Sequence, residues 1–94
     1  MDHGRQYYVY ILECADGTLY TGWTNDIEKR IDDHNNSSKG AKYTRSRRPV
    51  RLAFISRHST LSDALKEEAG IKKMTRKQKV QLIRDQVEDV VLIG

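Results

Sequence analysis

Residues 6–23 read QYYVYILECADGTLYTGW, two runs rich in Tyr and aliphatic residues on either side of Ala15-Asp16-Gly17. The first run, 6–14, is too short for a typical helix. It carries apolar residues at consecutive positions, which predicts a strand buried on both faces and central in its sheet. Asp16-Gly17 supplies turn chemistry, and Thr18 to Trp23 forms the return strand of a hairpin. Loop length then decides which side chains meet. A two-residue turn at Asp16-Gly17 pairs position 20 with 13 and sends Tyr10 and Tyr20 to opposite faces. A three-residue loop with Gly17 in the left-handed conformation pairs Cys14 with Thr18 and Tyr20 with Leu12, so both tyrosines share one face.

Beyond the hairpin the periodicity changes. Asn25 with Glu28 three residues on reads as a capping box, and Ile27 and Ile31 give a narrow apolar stripe for a helix over about 26–35. Arg30 and His34, also four apart, project together from a neighbouring face. Residues 36–48 lack a hydrophobic period and contain Gly40, so they predict a loop that Pro49 closes. Val50 to Ser56 is β-rich and predicts the third strand. Thr60 or Ser62 caps a second helix with Ala64, Leu65 and Ala69 inward, and Gly70 weakens or closes its last turn. Thr75 with Gln78 is a further capping box and opens a third helix with Val80, Ile83 and Val87 inward, ahead of a fraying VVLIG tail. The class is α/β: a small, mixed three-stranded sheet led by the N-terminal hairpin and flanked by about three helices.

The chain has 94 residues, a length that buries a single core, and the expected division is one domain over 1–84 with 85–94 as a tail. No apolar run approaches the roughly 20 residues needed to span a bilayer, and no signal-like segment opens the chain, which sets aside membrane and secreted classes. One cysteine, Cys14, forms no internal disulfide; it reads as a small buried hydrophobe in a reducing, cytoplasmic setting. The net charge of +4 is segregated: residues 1–28 total −4, 29–51 total +6, 66–84 total +5 and 85–94 total −3. The first basic block is interleaved with Asn, Ser, Thr and Tyr, side chains that hydrogen-bond phosphate oxygens, and this points to a nucleic-acid-facing surface.

Tyr10 and Tyr20 on the hairpin arms, Arg30 ten positions on, His34 four beyond that and Glu68 on a later helix form an ordered polar set. Singly, each has an ordinary role as sheet core, helix surface or solvated charge. In order, they resemble the GIY-YIG nuclease family, and its small stand-alone bacterial branch in particular. The two signature tripeptides stand as Tyr8-Val9-Tyr10 and Tyr20-Thr21-Gly22, with Tyr8 for the first Gly and Thr21 for the second Ile. Asn25 to Arg30, His34-Asn35, Lys39 to Arg45, Arg48-Pro49-Val50 and Ala64 to Lys73 continue the likeness over residues 6–84.

The resemblance implies a phosphodiester-cleaving site with a single Mg2+ or Mn2+ ion. By position, Tyr10, Tyr20, Arg30, His34 and Tyr43 are its catalytic residues and Glu68 its metal ligand. One carboxylate suits an ion that keeps most of its waters. Arg30 can fork onto the scissile phosphate. One tyrosine serves as base and the other positions water or phosphate, with Tyr10 preferred as base and His34 as an alternative proton relay. Gly22 lies near the phosphate. Lys39, Lys42, Arg45, Arg47 and Arg48 are expected to fix the flanking backbone without reading sequence. The implied activity is endonucleolytic hydrolysis of DNA in repair, recombination or processing of branched or damaged substrates, with a protein partner for targeting. The competing reading is a non-catalytic module that binds DNA or RNA.

Overall fold

Cys14 donates its backbone N–H to the Thr18 carbonyl at 2.9 Å and its own carbonyl accepts from Gly17 at 2.9 Å. Gly17 adopts a φ of +84°, which a side-chain-bearing residue rarely tolerates. The three-residue loop is therefore the one formed, and it fixes the register of the hairpin between β1 (Tyr7–Glu13) and β2 (Leu19–Thr24). Leu12 faces Tyr20 and Tyr10 faces Gly22, so both tyrosines lie on one face of the sheet. The structure, a computed structural model, describes residues 6–93, with side chains through Val87.

The remaining elements are α1 (Ile27–Asn36), the single-turn α2 (Lys42–Arg45), β3 (Arg51–His58), α3 (Leu61–Lys72) and α4 (Arg76–Ile93). The sheet order is β2-β1-β3, with β1 central as its two-faced apolar pattern predicts. Both pairings are antiparallel, which corrects the expected mixed sheet. The link from β2 to β3 carries α1 and α2 across one face and returns β3 to the free edge of β1 in the opposite sense.

Each face of the sheet covers its own cluster. Val9, Ile11 and Phe54 pack with Ala64 and Ile71 of α3, and Leu82 and Ile83 of α4 close over them. On the other face Tyr10, Leu12, Cys14 and Val50 meet Tyr20 and the Ile27/Ile31 stripe of α1. Cys14 is buried and unpaired, as a small hydrophobe.

Several local expectations shift. Asp26, not Asn25, caps α1, its carboxylate accepting from Lys29 N–H at 3.2 Å. The Thr24 hydroxyl accepts the Asp26 N–H at 3.1 Å and sets that entry. Thr60 caps α3, and Ile71 rather than Ala69 or Leu65 points inward, the last two being exposed. The Thr75–Gln78 box forms as predicted, with reciprocal bonds of 2.9 and 3.2 Å. Val87, expected inward, is exposed. The helix it belongs to runs on to Ile93 through the segment expected as a tail. Residues 36–48 hold α2 within the predicted loop, making four helices among the described residues in place of three.

Candidate active site

Tyr10 sits directly across from Gly22, and that glycine creates its place. A Cβ at position 22 would lie 2.5 Å from the Tyr10 hydroxyl and 2.7 Å from its Cζ. The ring therefore lies across the β2 backbone, with its hydroxyl 2.9 Å from Nε2 of His34. Gly22, expected near the phosphate, thus seats a tyrosine.

His34, read as a helix-surface residue when taken alone, is fully buried. Its Nδ1 lies 2.9 Å from the Thr44 hydroxyl and 3.3 Å from the Ala41 backbone nitrogen. The Thr44 hydroxyl in turn donates to the Ala41 carbonyl at 2.8 Å, so Nδ1 faces both a donor and an oxygen able to accept, and either neutral tautomer bridges Tyr10 to α2. Burial first, then the charges of Arg30 and Arg48, push the imidazole down to about 4, with Asp33 pulling the other way. His34 is neutral at ordinary pH, and a weak proton acceptor.

The tyrosines divide. Tyr10 is 1% exposed, and burial pushes its phenol up to about 12 against the pull of Arg30, with Tyr20 and Glu68 adding to the rise. Arg30 of α1, Tyr20 of β2 and Glu68 of α3 all lie within electrostatic reach of this one phenol of β1. Tyr20 is half-buried. Its ring stands edge-on to His34 at 5.3 Å and stacks on Tyr43 at 5.8 Å. Tyr43 in turn carries the Arg47 guanidinium 3.9 Å above its ring.

The basic residues of the loop separate into two groups. Arg47 donates to Asp16 Oδ2 at 3.1 Å and to the Tyr43 carbonyl at 2.8 Å, tying α2 to the hairpin turn. Arg48 spends its guanidinium on the carbonyls of Asp33, His34 and Ser37, where α1 ends. Both were expected on phosphates, and in this structure these bonds tie both into the fold. Arg30 donates one bond to the Lys39 carbonyl at 2.9 Å, which turns the loop toward the site. Lys39, Lys42 and Arg45 are exposed, and among the described residues they make no ion pair.

Glu68 is largely buried, and its Oε2 lies 3.4 Å from the Lys72 ammonium. Among the described residues no group of three or more His, Cys, Asp or Glu gathers to cage a metal. One carboxylate that already attracts a cation fits a hard divalent ion shared with waters and substrate oxygens, and does not fit a dedicated protein-only site. Sequence reasoning missed Thr44 and Ala41, which hold the far side of His34. Their signal is a contact across ten and seven residues in a segment with no period.

The chain matches the family model described as the GIY-YIG catalytic domain over residues 6–81. It is 59% identical over 81 residues to a UPF0213 protein of Syntrophus aciditrophicus, covering 86% of this chain and 93% of the relative. A UPF0213 protein of Clostridium perfringens is 57% identical over 76 residues, with 81% of each covered. Two solution NMR structures share the fold. The UPF0213 protein of Bacillus halodurans has a TM-score of 0.56 at 46% identity, with 84% of this chain and 83% of that one covered. A protein from E. faecalis has a TM-score of 0.62 at 45% identity, with 90% of each covered.

Proposed function

The chain belongs to the GIY-YIG family of catalytic domains, a nuclease family that uses divalent metal, and on that premise we propose that it is an endonuclease hydrolysing DNA phosphodiester bonds with one Mg2+ or Mn2+ ion. The observation that carries the reading is the set around Tyr10: its hydroxyl is bonded to His34, the Tyr20 ring stands against that histidine, and the charges of Arg30 and Glu68 act on its phenol from α1 and α3. A binding surface requires basic residues and has no use for a buried Tyr–His pair beside a carboxylate.

Glu68, with phosphate oxygens of the substrate, would hold the ion, which supplies Lewis-acid stabilisation of charge on the phosphate. Arg30 neutralises charge on the equatorial oxygens as water attacks phosphorus in line and the opposite P–O ester bond breaks. Exposure divides the tyrosine roles. Tyr20 is half-buried beside the exposed Tyr43, so it orients the attacking water and, once its own phenolic proton has passed to solvent, takes the water's proton as a phenolate. Tyr10 is enclosed and hydrogen-bonded to Nε2 of His34, so it fixes the back wall and the spacing of the site. This exchanges the base role anticipated for Tyr10, and it removes His34 from proton relay because burial leaves its ring a weak proton acceptor. A place in repair, recombination or the processing of branched or damaged DNA, in the cytoplasm, follows as the setting for such chemistry. No helix among the described residues is long and apolar enough to cross a membrane.

The test is nicking of supercoiled plasmid and of a branched duplex with Mg2+ or Mn2+, comparing wild type with Glu68→Ala and Tyr20→Phe and measuring binding on the same samples. Cleavage lost by at least about 100-fold in both variants with binding retained supports the site. Binding without metal-dependent cleavage in the wild type overturns the nuclease reading in favour of a binding module.

A further inference from the structure

Apart from Glu68 and its partner Lys72, the second basic block, residues 66–84, has no part in the site described so far. The fold turns the start of α4 toward the hairpin, where Arg76 donates to the Gly17 carbonyl at 2.8 Å. Between them lies an open cleft of about 230 Å³ lined by Thr18, Leu19, Tyr43, Met74, Arg76 and Lys79. Tyr43 is the shared wall, because the ring that borders the cleft also stacks on Tyr20 at 5.8 Å. The cleft is therefore the immediate neighbour of the proposed cleavage point.

Lys79 carries the argument. It is half-buried in the cleft wall, and among the described residues no carboxylate comes within ion-pairing distance of it. Its charged neighbour is another ammonium, Lys72, which already shares Glu68 at 3.4 Å. Burial, and then repulsion from Lys72, hold the Lys79 ammonium below its ordinary pKa. An unpaired, partly desolvated cation is a cost to the fold, and an anion in the cleft relieves it. The lining also describes that anion. Lys79 and Arg76 supply positive charge, while Leu19 and Met74 supply an apolar floor, a combination that suits a phosphate joined to a sugar better than a free inorganic ion.

We infer that this cleft is a backbone subsite, in which Lys79 holds the nucleic-acid phosphate next to the scissile one. The inference rests on the nuclease reading for the word scissile, and on the cleft alone for the contact. It assigns the second basic block to substrate positioning, so that the strand is gripped by the 39–45 loop on one side of Tyr43 and by the α3–α4 junction on the other.

The test uses the full chain with chelator present, so that nothing is cut, and follows a short fluorescent duplex DNA by anisotropy across a salt series. Each lost phosphate contact makes the slope of log K against log salt shallower by about 0.9. Lys79→Gln should lose that much, with an unchanged or higher Tm because a strained charge is removed, and Lys79→Arg should restore the slope. Lys77→Gln, two residues along the helix and off that face, should change nothing. A wild-type slope in Lys79→Gln, or equal losses in Lys79→Gln and Lys77→Gln, overturns the subsite. The nuclease reading is scored separately with metal. Cleavage by wild type alongside an unaltered Lys79→Gln slope removes the subsite and keeps the nuclease. A Lys79-dependent slope without cleavage supports the subsite and removes the nuclease.

Discussion

A single methyl group added at position 22 would meet the Tyr10 hydroxyl at 2.5 Å and its Cζ at 2.7 Å. The ring can yield only by leaving His34, because the rest of its surroundings are filled. Gly22→Ala should therefore cost about 1–3 kcal/mol of stability, as overpacked cores do, and cleavage should fall by more than the stability loss accounts for. Paired thermal melts and nicking rates check this. His34 makes a second residue-level case. Its folded pKa, about 4, lies below the unfolded value near 6.5, so the unfolded chain binds the proton first as pH falls. The stability contributed by the neutral, buried imidazole is whole above pH 6.5 and is lost progressively toward pH 4, on the order of 3 kcal/mol in all. NMR titration should show the His34 ring uncharged down to about pH 4; protonation near pH 6 would contradict its enclosure.

At the scale of elements, the Arg48 side chain closes α1. Its guanidinium meets the carbonyls of Asp33, His34 and Ser37, the acceptors that the end of any helix leaves without internal partners. Arg48→Gln should lower stability by about 2 kcal/mol while leaving the salt dependence of DNA binding unchanged. A shallower salt slope without a stability loss would return Arg48 to the phosphate contacts first expected of it. This role was invisible in the sequence because an arginine among arginines carries no mark of which one turns inward. The hairpin was legible for the opposite reason. Turn chemistry at Asp16-Gly17 limits the register to two choices, and those differ in whether Tyr10 and Tyr20 meet. The capping boxes were legible to within one residue, with α1 moved to Asp26 by the Thr24 hydroxyl. The single turn of α2 was not, since four residues display no period, and its tie to His34 through Thr44 is a long-range polar contact that no local pattern encodes. The tyrosines, Arg30 and Glu68 were named from their order along the chain. What required coordinates was depth, which separates Tyr10 from Tyr20 and gives each a different task.

Over the whole molecule, charge placement decides how DNA would be held. Of 17 Lys and Arg residues, several are bound into the fold: Arg47 to Asp16, Arg51 to Glu13, Arg48 to α1 and Arg76 to the hairpin turn. The cations that remain around the site are Lys39, Lys42 and Arg45 on the loop, Arg30 within it and Lys79 at the cleft. Five phosphate contacts correspond to a slope of about −4.5 for duplex DNA at about 0.9 per contact. If net charge alone governed binding, disabling any one of the exposed lysines would change that slope equally. The loop and the α3–α4 junction flank Tyr43, so the contacts follow a backbone past the site and present no element to a groove. Affinity should then vary by less than about 1 kcal/mol between duplexes of equal length and different base sequence, well under the cost of one mismatched base pair in a sequence-specific complex. Anisotropy titrations of several unrelated duplexes, each run across the same salt series, measure both quantities at once. Parallel lines with a slope near −4.5 and nearly coincident intercepts are the expected outcome. Parallel lines with widely spread intercepts would show base readout by residues outside this set, and a slope near −1 would leave most of the basic surface without a part in binding.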